Sequence, residues 1–363
     1  MAALVSLAGI FSLRLGLIHQ AFENKSLTLA PLLAFVTWTA ASALWSPYPD
    51  HAQAPKLIAL VLLGLAMIAG CGASPQSRGL TRAAGWAAFA VLALLLGIEA
   101  GFGMPLNQAA APAELADWQV ERNPARGTVV LLAMTWPVAA WAASAKTRAG
   151  FTWAGLALIV GGALAAQFHQ TANLLGFAAG LGAFALAFFA PRIAPILVCS
   201  GLALWLLTAP FLTPLLLANA PIGETAPIGI EARAAIWNYV SAQILEQPWL
   251  GHGLDASRVV TDQIELRGQM MDAIPLHPHS ASLQIWYETG AIGAVLAAAA
   301  LFAGGVALAR WSTHRPGAAI GGAGAIAALG VIANVSYGIW QEWWVATLLF
   351  SAALAAAARA TKA

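Results

Sequence analysis

Residues 276–302 read LHPHSASLQIWYETGAIGAVLAAAALF. Beyond Ser280 this run carries a single charge, Glu288, and such a long apolar stretch predicts a membrane-spanning helix near 284–308. Two histidines, His277 and His279, stand at its doorway. Pro278 suits the first helical position, where its missing N–H costs nothing, so the helix is expected to begin about there. His279 would then lie in the first turn, near the positive end of the helix dipole. That field disfavours imidazolium and leaves a neutral ring able to accept a proton. The unpaired N–H groups of the same turn would suit a bound anion. The alternative is a plain helix cap in which the His-x-His spacing is fortuitous.

Outward from this stretch the rest of the chain has the same character. It has 363 residues, 60% of them hydrophobic and 9% charged, with a mean hydropathy of +0.75. Soluble domains carry about 25% charged residues, so the composition is that of a chain living in lipid. Eleven candidate spans are expected near 2–19, 28–46, 56–74, 84–103, 127–144, 151–168, 173–190, 193–217, 284–308, 317–335 and 341–358. The expected fold is an all-α polytopic membrane protein, one transmembrane domain over 1–363. Helices satisfy their own backbone in hydrocarbon, and a barrel would show short alternating strands instead. Residues 2–19 lack a basic leader and carry Arg14 inside the apolar run, so they read as a first membrane segment. Cys71 and Cys199 both fall in apolar segments, which leaves no disulfide framework and no Cys-x-x-Cys metal site.

Charge distribution orients the bundle. One set of connections and the tail hold ten basic residues: Lys25, Arg78, Arg82, Lys146, Arg148, Arg192, Arg310, Arg315, Arg359 and Lys362. The other set holds six: Lys56, Arg122, Arg126, Arg233, Arg258 and Arg267. The positive-inside rule places the first set in the cytoplasm. Trp45, Trp136, Trp311, Trp343 and Trp344 fall near span ends, as an interfacial belt would. The two longest connections, 104–126 and 218–283, then open on the outer face and carry the histidine pair. Arginines on the side the rule disfavours suit the binding of an anion, although scattered loop charges are also commonly just solvated.

Arg126 stands at the membrane edge beside Gly127, and Arg122 lies four residues earlier next to Glu121, where a simple surface ion pair is the alternative. In the longer connection, Ile236, Trp237, Val240, Ile244 and Leu245 fall on one face of a helix over 231–247, ended by Pro248 and Gly251. Arg233 lies one turn before Trp237 at the edge of that stripe, at headgroup level if the helix lies flat, and a snorkelling arginine would read the same. The GHGLDASR that follows contains Gly-x-Gly without a dinucleotide fingerprint; its glycines are expected to turn tightly and present Asp255 and Arg258. Glu288 lies nine residues after His279, about 180° around an ideal helix, so no His–Glu dyad is expected and Glu288 reads as a helix-pinning residue.

The runs EARAAIWNYVSAQILEQPWLGHGLDASR and LHPHSASLQIWYETGAIGAVLAAAALF resemble the O-antigen ligase and polymerase superfamily of bacterial envelope proteins. The resemblance rests on Arg233 and Trp237, the Pro248, Gly251, Gly253 turn, His279 with Ser280, and Glu288, Gly290 and Gly293. ALWSPYPDHA at 43–52 and PARGTVVLLAMTWP at 124–137 resemble the family's earlier segments. Ser280 stands where Asn is commoner, and HQTANLLGF at 168–177 lacks a Ser-Arg pair that many members show. The resemblance implies a GT-C-like bundle in the bacterial inner membrane, with short helices in a periplasmic loop. It also implies a glycosyltransferase that is inverting and metal-independent, with no cofactor. Its partners would be a glycan donor on undecaprenyl pyrophosphate, an acceptor sugar hydroxyl on lipid A core or another glycan, and membrane lipids, but no nucleic acid. His279 would be the general base, with Arg126 and Arg233 stabilising the departing pyrophosphate; Arg122, Arg258 and His277 would bind substrate. These roles fit the chemistry, since arginine stays charged and grips phosphate through two N–H groups.

Three rivals remain open at this point. A polymerase would use the same groups on a lipid-linked acceptor. A membrane transporter would place charges at mid-membrane, whereas the spans are nearly charge-free apart from Arg14, Glu288 and residues towards span ends such as Glu99. A metal hydrolase on His277, His279 and Asp272 rests on a weak His-x-His signal.

Overall fold

The structure, a computed structural model, describes residues 1–12, 26–110, 117–220, 222 and 226–360. Arg14, Lys25 and Lys362, and parts of the 2–19, 104–126 and 218–283 segments, lie outside the described residues. Among the described residues the regular structure is helical except for one hairpin, with largely irregular stretches over 43–52, 247–262, 273–280 and 336–341. Its helices are α1 (Ala2–Ser12), α2 (Ser26–Ser42), α3 (Gln53–Gly72), α4 (Pro75–Gly101), α5 (Pro105–Ala110), α6 (Asp117–Ala143), α7 (Arg148–Ala165), α8 (Thr171–Phe189), α9 (Ala194–Ala218) and α10 (Ile228–Glu246). The hairpin β1 (Gln263–Leu266) and β2 (Gln269–Asp272) follows, then α11 (Ala281–Trp311), α12 (Pro316–Val335) and α13 (Glu342–Ala356). Among the described residues seven helices are long and apolar enough to cross a membrane: α3, α4, α7, α8, α9, α11 and α12. The chain is a multi-pass membrane protein.

The other expected spans differ from these for local reasons. The apolar parts of α2 and α13 are shorter, and α6 opens with the charged turn around Glu121, Arg122 and Arg126 before it becomes apolar. The helices also divide by surroundings. In α12, 72% of the apolar window is buried, against 22–33% in the other six, so protein surrounds α12 while the rest face lipid. Its sequence explains this, because PGAAIGGAGAIAALGVIANV presents a surface of Gly and Ala that lets neighbouring backbones approach. Leu131, Leu132 and Trp136 of α6 are fully buried against it and its neighbours. Trp136 and Trp344 are therefore core residues, not members of an interfacial belt.

Two backbone faults are repaired by other segments, and both repairs shape the loop face. Pro124 inside α6 has no N–H, which leaves the Val120 carbonyl without its helical donor. The Asn107 side chain donates to that carbonyl, and its own backbone N–H donates to Glu99 Oε1 at 3.0 Å. The second fault is in α11, which breaks at Gly290 (φ 64°, ψ −169°). The freed carbonyls of Tyr287 and Glu288 accept from the backbone N–H groups of His252 and Gly253, each at 2.8 Å. Ala291 N–H donates to the Pro248 carbonyl at 2.7 Å. The turn after α10 thus completes the hydrogen bonding of a broken helix. The crossing is tight: a Cβ on Gly251 would sit 2.6 Å from the Gly290 nitrogen, and one on Gly290 would overlap the Trp249 carbonyl.

Candidate functional site

Glu288 is the hub beneath the site. It is fully buried and accepts four hydrogen bonds: from Ser257 Oγ (2.6 Å) and Gln284 Nε2 (3.0 Å) at Oε1, and from Asp255 N (2.7 Å) and Trp340 Nε1 (2.6 Å) at Oε2. The carboxylate ties the Gly-rich turn and the α12–α13 connection to α11, which agrees with a pinning role. That connection, residues 336–341, supplies side-chain and carbonyl partners to the histidines.

The helix begins later than Pro278 suggests. Ser280 is the N-cap of α11, and His279 precedes it in a left-handed conformation (φ 57°). Tertiary contacts hold the residues before the cap: Trp237 Nε1 donates to the Pro278 carbonyl at 2.8 Å, and His279 N–H donates to His277 Nδ1 at 3.2 Å. Left-handed backbone costs a non-glycine residue roughly 1–2 kcal/mol, a strain that tends to collect at functional sites.

His279 Nδ1 lies 2.7 Å from the Ser336 carbonyl. A carbonyl only accepts, so Nδ1 must carry the proton, and in the neutral ring Nε2 holds the free lone pair. Burial, together with the charge of Arg233, lowers the pKa of His279 despite that hydrogen bond. His277 is lowered further, to about 3, first by burial and then by His279, Arg258, Arg126 and Arg122. Donors face both of its ring nitrogens, His279 N–H at Nδ1 and the Gln341 amide at Nε2 (3.2 Å), so a second ring proton would meet an N–H on either side. The two rings lie 4.4 Å apart.

The arginines fall into two groups. Arg126 and Arg233 each bury an Nε that has no hydrogen-bond partner. Arg126 lies over the ring of Trp343 at 5.4 Å; Trp343 Nε1 in turn donates to Gln341 Oε1 at 2.7 Å, and Gln341 reaches His277. Arg233 sits one turn before Trp237, which holds Pro278, and burial lowers its pKa. Arg258 is instead committed, its Nε donating to buried Asp255 at 2.8 Å while its guanidinium lies 5.8 Å from the centre of the Tyr48 ring. Arg122 is exposed. Its sequence neighbour Glu121 lies 3.0 Å from His169 Nδ1, so the alternative of a simple Arg122–Glu121 surface pair is not what forms. On α10 the buried stripe is Ile236, Val240 and Ile244, and Leu245 turns outward. Asp272 ends β2 opposite Gln263 on the hairpin. Among the described residues no three His, Cys, Asp or Glu side chains gather as a ligand set.

Ser336, Gln341, Trp343 and Asn334 were not legible as site residues in the sequence. Asn334 Oδ1 accepts from Ser282 Oγ (2.6 Å), Ser282 N (3.2 Å) and Trp205 Nε1 (3.2 Å), anchoring the start of α11 against α12. The available signal was a cluster of polar and aromatic residues, NVSYGIWQEWW, between two apolar spans.

No family model matches the chain. Curated relatives do. It is 33% identical over 119 residues to a protein of Rickettsia conorii, covering 32% of this chain and 28% of that one. A protein of Rickettsia bellii is 27% identical over 199 residues, covering 49% and 45%. One of Rickettsia typhi is 28% identical over 122 residues, covering 31% and 28%. All three carry the name "Putative polysaccharide ligase", and each match spans less than half the relative's length. The chain therefore has homologues named for polysaccharide ligation at modest identity, in agreement with the O-antigen ligase-like family that its motifs resemble.

Proposed function

We propose that the chain is an O-antigen ligase-like glycosyltransferase. It moves a glycan from undecaprenyl pyrophosphate to a sugar hydroxyl, on lipid A core, at the periplasmic face of the inner membrane. The observation that carries this reading is the His279 imidazole. Its tautomer is set by the Ser336 carbonyl and its pKa is lowered, leaving Nε2 as a proton acceptor among arginines with unpartnered buried nitrogens.

The acceptor hydroxyl gives its proton to His279 Nε2 as its oxygen attacks the anomeric carbon. The bond from that carbon to the pyrophosphate oxygen breaks, and the pyrophosphate leaves with the electron pair. Direct attack inverts the anomeric centre. Arg126 and Arg233 meet the charge that grows on the leaving group, and their unused N–H groups suit two-point phosphate contact. His277 fixes the backbone of His279 through Nδ1 and stays neutral, while Arg122 and Arg258 add positive potential at the same face.

The test is transfer in liposomes holding purified protein, an undecaprenyl-pyrophosphate-linked glycan and lipid A core. The expected product is glycan-capped lipid A core, lost in His279→Ala. Lengthening of the lipid-linked glycan instead would make the protein a polymerase, and no glycan transfer of either kind would overturn the reading.

A further inference from the structure

The two ends of the bundle differ in charge. At the end opposite the histidine face, α3, α11 and α13 finish and α4 and α12 begin. This end carries Arg78, Arg82, Arg310, Arg315 and Arg359 and, among the described residues, no Asp or Glu. Three of these guanidiniums converge on the ends of two helices. Arg78 Nη1 donates to the Gly72 carbonyl at 3.0 Å, Arg82 Nη1 to the Ala357 carbonyl at 2.8 Å, and Arg315 Nη1 to the Ala356 carbonyl at 3.3 Å. A Cβ on Gly72 would stand 3.7 Å from Arg315 Nη1 and 3.4 Å from the Ala356 carbonyl oxygen, so the ends of α3 and α13 meet among these side chains.

The arrangement leaves positive charge uncompensated. Arg78 falls in the first turn of α4 and Arg315 immediately precedes Pro316 at the start of α12, where the positive end of a helix dipole disfavours cations. Arg82 lies four residues beyond Arg78, a spacing at which like charges repel. Burial, together with the charge of Arg78, lowers the pKa of Arg315. Each guanidinium carries five N–H donors, and the helix-end carbonyls answer one hydrogen bond of each. Among the described residues no carboxylate pairs with any of the three. The helices that carry or receive them, α3, α4 and α12, are long and apolar enough to cross the membrane, so the cluster stands where spans end, at headgroup level.

We infer that Arg78, Arg82 and Arg315 form a headgroup site that binds an anionic phospholipid through its phosphodiester. One phosphodiester supplies the negative charge that the three arginines share, and its oxygens suit the paired N–H groups of a guanidinium. Basic pockets between spans hold anionic headgroups by this chemistry. The bound lipid clamps the ends of α3 and α13 to the starts of α4 and α12, which ties the stability of the bundle to the charge of the lipid around it. The site lies at the far end from His279 and stands independently of the proposed transfer reaction.

The test uses the full chain in an uncharged detergent, with dioctanoyl phosphatidylglycerol, dioctanoyl phosphatidylcholine and inorganic phosphate as separate probes. Phosphatidylglycerol should raise the unfolding temperature of wild type and slow amide exchange over 72–79 and 312–317; the other two probes should do neither. Arg78→Gln combined with Arg315→Gln should weaken phosphatidylglycerol binding roughly thirtyfold, about fivefold for each charge removed at a membrane surface. Arg148→Gln combined with Arg192→Gln is the control, taking two exposed basic residues from the same end, and should keep wild-type affinity. Equal protection by phosphatidylcholine, or protection confined to other segments, overturns the inference. A full response to inorganic phosphate also overturns it, leaving a plain anion site, and equal losses in the two paired variants do so by showing diffuse attraction to the whole face. Should the Arg78→Gln, Arg315→Gln protein fail to fold, the exchange pattern of wild type with the three probes decides by itself.

Discussion

The Glu288 hub and the His279 face lie within one stretch of chain, yet they treat polar groups in opposite ways. At the hub every carboxylate oxygen is occupied, with four donors from three segments meeting one buried side chain. At the histidine face His279 keeps Nε2 free, His277 is faced by two donors of which a neutral ring accepts one, and Arg126 and Arg233 bury unpartnered nitrogens. Satisfied networks rigidify, whereas orphaned polar groups cost stability and ask for a reason. The difference separates what holds the fold from what is kept for a ligand.

The largest effect should fall on the hub. Glu288→Ala strands four buried donors and should destabilise the protein by roughly 3–5 kcal/mol, read as lost thermal stability in detergent. Unchanged stability there would erase the contrast. At the opposite pole, His279→Ala should fold and insert normally while transfer falls about 10²–10⁴-fold, the usual worth of a general base. Arg126→Lys and Arg233→Lys should each lower kcat about 10²-fold or more with stability held or improved, because the point charge survives and the paired N–H geometry does not. A loss of folding in either would move that arginine to the structural side.

Smaller effects sharpen the comparison. Gln341 links His277 to Trp343 beneath Arg126, so Gln341→Ala should lower kcat several-fold, on the order of a single hydrogen bond, with KM changing less. The last test is acid. His277 titrates near 3 in the fold against an ordinary 6.5, so between these values the unfolded chain binds more protons than the native one. Stability should therefore fall as pH drops through that window, and His277→Asn should flatten the slope. Because the His279 pKa is also lowered, its free base should persist below pH 6.5.

The pattern of legibility follows the range of the forces involved. The helical, membrane-embedded character was readable because hydrocarbon imposes one rule along the whole chain, that apolar runs must satisfy their own backbone. His279, Arg126, Arg233 and Glu288 were readable as candidates because polar residues beside apolar runs are conspicuous. The helix start was misplaced because Pro278 suits a first turn locally, while Trp237 and Ser336 hold the same residues out of helix from far along the chain. Trp136 was read as interfacial from its place near a span end, but α12 brings small residues against it and buries it.

The amino-acid order by itself determined the solvent of this protein, its helical class, and the glycines at Gly251 and Gly290, whose left-handed angles suit residues without a Cβ. Only the tertiary structure decided that those glycines cross to mend a broken helix. It also decided that residues 336–343 complete the histidine face and that α3, α11, α12 and α13 leave a slot between them. Burial preference acts on each residue where it stands, whereas a hydrogen bond or a cavity exists only once distant segments meet.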